Sequence, residues 1–212
     1  MREPRSSRRE RENERHREEI LDAARKLFAE RGLAGLTVDS VAREADFAVG
    51  SIYRHFRSKE ELVEVLAVDL ALPMIEEIEA LAEAGADFGD SLEAYVRIVA
   101  RHLIEAQPVV QAFFAAPGEL PAPDTPTRAH VTEARDRYFE AVMDIVRLGE
   151  EEGLVRGDQR SDLAIALHGT AVGFVRWRCK HDEAQVPMVA TFIRHFFLNG
   201  CGRPDESSAQ QP

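Results

Sequence analysis

With 212 residues, 44% of them hydrophobic, the chain can build one small module plus one ordinary domain around a proper core. No stretch approaches the roughly 18 to 20 apolar residues of a membrane span, and the segment MREPRSSRRERENERHREE lacks the apolar centre of a signal peptide, so the cytoplasm is the expected compartment. Two cysteines, Cys179 and Cys201, are too few for a disulfide framework or a zinc cluster, and neither a metal nor a cofactor is expected.

A net charge of −11 ordinarily argues against nucleic acid, because phosphates reward Lys and Arg and repel carboxylates. Its distribution changes that inference. Residues 1–60 hold 14 Lys and Arg against 12 Asp and Glu, whereas residues 61–212 hold 13 against 26. Within the first 17 residues stand seven Arg and four Glu with almost nothing apolar, and residues 1–13 read as a flexible basic arm.

Apolar spacing is helical nearly throughout, which predicts an all-α fold. A first helix fits about 14–31, with Ile20, Leu21, Ala24, Leu27 and Phe28 on one side and Gly32 as its stop. Thr37 caps a second, short helix through about Ala45. Asp46, Phe47 and Ala48 form a turn, and a third helix holds Val49 to His55. Ser58 with Glu60 and Glu61 starts a long fourth helix, in which Pro73 predicts a kink or break near 69–73.

Residues 84–90 read as a loop, and Ser91 starts the next helix, with Leu92, Tyr95, Val96, Val99 and Leu103 inward. A short apolar helix around Val109, Val110, Phe113 and Phe114 leads into the proline-rich loop 117–127. Helices then fit about 128–151, 161–181 and 186–198, and residues 200–212 read as a disordered tail.

Residues 37–62, TVDSVAREADFAVGSIYRHFRSKEEL, carry the most information. Two short helices joined by a three-residue turn are the geometry that places a second helix in the major groove. Val38, Val41, Ala42, Ala45, Phe47, Ile52 and Phe56 are spaced to form a small core, which leaves Thr37, Ser51, Tyr53, Arg54, His55 and Lys59 outside.

This stretch resembles the N-terminal domain of the TetR family of bacterial regulators. The matching elements are Thr37, Val41-Ala42, Gly50, Ile52-Tyr53, His55-Phe56, Ser58-Lys59-Glu60 and Leu62, and the resemblance covers about residues 18–66. It implies that Val49, Gly50 and Ser51 begin the groove-facing helix, that Tyr53, His55 and Lys59 contact phosphates, and that Thr37 anchors the backbone. Arg54 is the side chain best equipped to read a guanine. Asp46 stands where the family usually has the turn glycine, and Ala48 where a capping Ser or Thr is usual.

The organisation expected is a helix-turn-helix domain over 14–60 and a helical ligand-binding and dimerisation domain over 61–199, joined by a long helix. Candidates for a pocket between helices are Tyr95, Val99, His102, Phe113, Phe114, Tyr138, Met143, Phe174 and Trp177. The last two helices are apolar on more than one side; Leu167, Ala171, Val175, Phe192 and Phe196 are the candidates for a dimer interface, the role these helices have in the resemblance. The expected partners are a double-stranded DNA operator, a largely apolar or aromatic small molecule and a second copy of the chain, with no membrane. Neither a metal-binding histidine pair nor a nucleophile motif is present to carry catalysis. A helical small-molecule carrier or enzyme with a merely structural N-terminal hairpin is the competing reading.

Overall fold

The computed structural model describes residues 5–105, 126–179 and 182–200. Regular structure among them is entirely helical: α1 (Arg5–Gly35), α2 (Val38–Glu44), α3 (Val49–His55), α4 (Lys59–Glu83), α5 (Phe88–Glu105), α6 (Pro126–Glu151), α7 (Arg160–Phe174) and α8 (Val186–Gly200). The candidate pocket residues Phe113 and Phe114, the proline-rich segment as far as residue 125 and the tail beyond Gly200 lie outside the described residues. The chain divides into two compact units, and the division falls inside α4, between Leu70 and Ala71, and again inside α6, between Val131 and Thr132, so that α6 from Thr132 onward belongs to the C-terminal unit.

In the N-terminal unit, α1, α2 and α3 pack on one another around Ile20, Ala24, Leu27, Val41, Ala42, Ile52 and Phe56, all buried. The segment expected as a flexible arm is helical from Arg5 onward. Arg and Glu are strong helix formers, and such pairs as Arg15–Glu19, one helical turn apart, support the extension without a core beneath it. Gly32 takes φ 62°, a left-handed conformation that ends regular α1 winding at the stop expected from the sequence.

Of the kink or break that Pro73 predicts, helix α4 excludes the break. Pro73 lies within it, yet the helix is continuous from Lys59 to Glu83 rather than broken near 69–73. Pro73 is exposed while Ala71, Met74, Ile75 and Ile78 are fully buried, so the carbonyl freed by the missing N–H lies on the solvent side and packing holds the rest of the helix.

In the C-terminal unit, α5 packs chiefly along α8 and also against α7. Its start is Phe88, three residues before the expected Ser91, because Asp87 caps it: the Asp87 carboxylate accepts from the Asp90 N–H at 2.8 Å. After α6, Gly153 turns the chain with φ 73°, and the neighbouring Glu152 carboxylate accepts from the Phe88 N–H at 2.7 Å. The helix expected over 161–181 is α7 only to Phe174, and a wider π turn follows over Val175–Cys179.

Candidate nucleic-acid interface and regulatory site

The helix pair α2–α3 is built by local chemistry. At the start of α2 the Thr37 hydroxyl accepts from the Ser40 N–H (3.1 Å) while the Ser40 hydroxyl accepts from the Thr37 N–H (2.9 Å), a reciprocal cap. At its end Asp46 adopts φ 57°, and the Phe47 N–H reaches back to the Ala42 carbonyl at 2.8 Å. Asp46 therefore occupies the left-handed position where glycine is least strained, and a short polar side chain tolerates it better than most. Ala48 caps α3 with no side-chain bond, as its methyl dictates.

Ile52 and Phe56 turn inward and are fully buried, which leaves Val49, Gly50, Tyr53 and Arg54 exposed. A Cβ added at Gly50 would meet nothing within 4 Å, so no contact inside the chain demands glycine there. Arg54 donates to the Ser51 hydroxyl at 2.6 Å. At the end of α3, His55 is half-buried against His16 of α1, their rings 6.1 Å apart and perpendicular; His16 also packs edge-on against Phe47 at 5.2 Å. Partial burial first, then the charges of His16, Arg54 and Arg17, hold the His55 imidazole below its ordinary range. Ser58 opens α4 by accepting from the Glu61 N–H (3.1 Å), which leaves Lys59, half-buried, in its first turn.

The pocket candidates separate. Tyr95 and Val99 are fully buried on α5 and Tyr138 is buried on α6; Met143 and Phe174 are half-buried. Trp177 is 90% exposed in the π turn, so it lines no pocket among the described residues. His102 is held by Glu77 at 3.1 Å. Burial opposes charge on Glu77, but hydrogen bonds from His102 and Arg101 prevail and lower its pKa.

Sequence reasoning missed His168. The Tyr95 and Tyr138 hydroxyls lie 2.6 Å apart, and the Tyr138 hydroxyl lies 2.8 Å from His168 Nδ1. The available signal was position: His168 follows Ala164 by one turn on the inward side of α7 and adjoins Leu167. Burial lowers its pKa to about 4, so the ring is neutral at pH 7. With the imidazole proton on Nε2, Nδ1 accepts from Tyr138, whose oxygen accepts in turn from Tyr95. Burial pushes both phenols above their ordinary range, so both keep their protons.

That neutral imidazole makes stability depend on pH. Unfolded, the ring takes a proton near its ordinary 6.5; folded, it resists until about 4. Stability is thus fully present above about 6.5 and declines as pH falls toward 4, by roughly 3 kcal/mol in all. Urea unfolding of the wild type and His168→Gln across this window checks it: the variant should lose this part of the pH slope, and parallel curves would assign the slope to other groups.

Of the dimer candidates, Leu167, Ala171 and Val175 are consumed by the core of their own unit, which corrects their assignment to an exterior face. Phe192 (49% exposed) and Phe196 (46%) point outward with their rings stacked at 6.4 Å, and Phe174 lies 5.1 Å from Phe192. Ile165, Trp177 and Met188 are exposed on the same unit. Phe174, Arg178, Met188, Val189 and Phe192 line a half-open cleft of about 150 Å³.

Residues 20–66 match the family model described as bacterial regulatory proteins, tetR family. Over 189 residues the chain is 30% identical to the HTH-type transcriptional repressor KstR2 of Rhodococcus jostii (strain RHA1), a match covering 89% of this chain and 92% of that one. A transcriptional regulator of the TetR/AcrR family from Thermobifida fusca superposes with a TM-score of 0.64 at 21% identity, covering 88% of this chain and 98% of its own. The TetR family regulator PfmR from Thermus thermophilus gives 0.57 at 25% identity, covering 87% and 96%.

Proposed function

This chain belongs to the TetR family of bacterial regulatory proteins and is a DNA-binding transcriptional regulator; from that premise we propose that it represses by holding a palindromic operator as a homodimer and releases it when a small molecule enters the C-terminal unit. The observation that carries the reading is α3: its inward side chains fix it in the N-terminal core, while Val49, Gly50, Tyr53 and Arg54 are exposed. Small residues at its start permit close approach to base edges, and Thr37, Tyr53, His55 and Lys59 supply donors for phosphates beside them. Arg54 can leave Ser51 for a guanine at little cost, since both side chains are near solvent.

In the C-terminal unit, the Tyr95–Tyr138–His168 chain supplies polar groups within an apolar interior, the combination that orients a largely apolar effector. The exposed aromatic face of α8, Phe192 and Phe196, supports the homodimer. No helix among the described residues is long and apolar enough to cross a membrane. By linkage, the effector must prefer the DNA-incompetent state, and DNA must weaken effector binding by the same factor.

Titrating the full chain against duplex DNA over a range of salt tests the reading. Lys59→Ala should weaken binding to every sequence and reduce the salt slope by about one counterion per half-site. Affinity and slope that match the wild type would remove Lys59 from the interface; a wild type that binds no duplex would overturn the DNA-binding role of α3.

A further inference from the structure

The first turns of α1 are longer than the N-terminal core requires. From Arg8 to Arg15 every residue is polar and exposed, and the first fully buried position is Ile20. His16, where the helix meets the turn residue Phe47 and the end of α3, marks the point at which α1 leaves the domain. At about 1.5 Å per residue, Arg8 lies roughly 12 Å further along the helix axis.

The arginines on this projection are grouped. Arg8, Arg11 and Arg15 follow three- and four-residue steps and share one stripe, with Glu12 at its edge, and Arg9 sits seven residues before His16, on the face that meets Phe47 and His55. Glu10 and Glu14 fall on another side. The ion pair Arg15–Glu19, at 3.4 Å, is exposed, and such a pair yields readily to a stronger anion. Arginine is also the cation whose fork matches phosphate oxygens and which enters narrow minor grooves.

We infer that the arginine-bearing extension of α1, Arg8 to Arg15, is a second DNA-contacting element that grips the duplex backbone beside the groove occupied by α3. The inference rests on the DNA-binding reading above and goes beyond it: α3 supplies sequence recognition and the extension supplies sequence-independent hold. It also gives a role to the concentration of arginine in a chain whose residues 61–212 carry twice as many acids as bases.

The test uses the full chain and a duplex that the wild type selects from a random-sequence pool. The triple variant R8A/R9A/R11A keeps helix-forming residues throughout, and far-ultraviolet circular dichroism with light scattering verifies its fold and assembly. Its affinity for the selected duplex should fall about 10- to 100-fold near 0.1 M salt. Its slope of log affinity against log salt should become shallower by about two to three per half-site. R8K/R9K/R11K should keep most of the slope. Wild-type affinity and slope in the alanine variant would overturn the inference, as would an equal loss in the lysine variant, which would show that charge is not the cause. If the unmodified chain binds no duplex, the DNA reading itself fails and this inference falls with it.

Discussion

Gly50→Ala is expected to make the folded protein more stable and its grip on DNA weaker. Glycine in a helix costs roughly 0.5 to 1 kcal/mol relative to alanine, because the unfolded chain has more freedom to lose. Its usual justifications are a left-handed backbone or a crowded neighbour. Neither applies at Gly50, which lies in ordinary helical winding with open space where a Cβ would stand. What remains is an approach by something outside the chain. A methyl group at this position should therefore raise urea-unfolding stability by about 0.5 kcal/mol, the low end because Gly50 is in the first turn. It should lower duplex affinity roughly tenfold or more, since a single displaced base contact costs about 1 to 3 kcal/mol. Unchanged DNA affinity with increased stability would show that this face of α3 stays clear of the groove.

The second large effect is expected from Phe196→Glu. Phe192 and Phe196 present two stacked rings on the outer face of α8, next to an apolar cleft large enough to receive a side chain from another molecule. Met188 shares that cleft with Phe192, and Trp177 and Ile165 are further exposed apolar residues of this unit; grouped apolar exposure of this kind marks interaction surfaces. A carboxylate at 196 remains hydrated in a monomer but would be buried against apolar atoms in a two-fold pair. Sedimentation should show a dimer for the wild type and monomers for the variant. Because two linked half-sites bind far more tightly than one, operator affinity should fall by roughly 100-fold or more. A Phe196→Glu protein that remains dimeric would place the interface elsewhere.

The α2–turn–α3 unit was legible because its signals are local: a Thr cap, an Asp-led turn and apolar spacing confined to one side predict α3 as Val49 to His55, and it spans those residues. Signals that depend on the rest of the molecule were not. Apolar spacing says that Leu167, Ala171 and Val175 share a stripe, but a stripe looks the same whether it faces the chain's own core or a partner. The core took it, and the outward face fell to residues such as Phe192 and Phe196. Pro73 illustrates the converse, a strong local breaker outweighed by the burial of Met74, Ile75 and Ile78. The α1 extension is not legible in the same way, because lack of apolar residues says nothing against an Arg- and Glu-rich helix. His168 carries no local signal, because its significance comes from Tyr138, thirty residues away.

That tyrosine–histidine chain has a direction, and direction constrains descent. With the imidazole proton on Nε2, each phenol proton points toward His168: Tyr95 gives to Tyr138, and Tyr138 gives to the imidazole. Losing the Tyr95 hydroxyl leaves an oxygen with one donor fewer, a mild loss, whereas losing the imidazole first removes the acceptor at the end of the chain. Lineages that abandon this arrangement should therefore shed it from the Tyr95 end, with tyrosine becoming phenylalanine before His168 changes. Among descendants of one ancestor, a phenylalanine at 95 beside an intact Tyr138 and His168 should be the common intermediate, and a leucine at 168 beside two intact tyrosines the rare one.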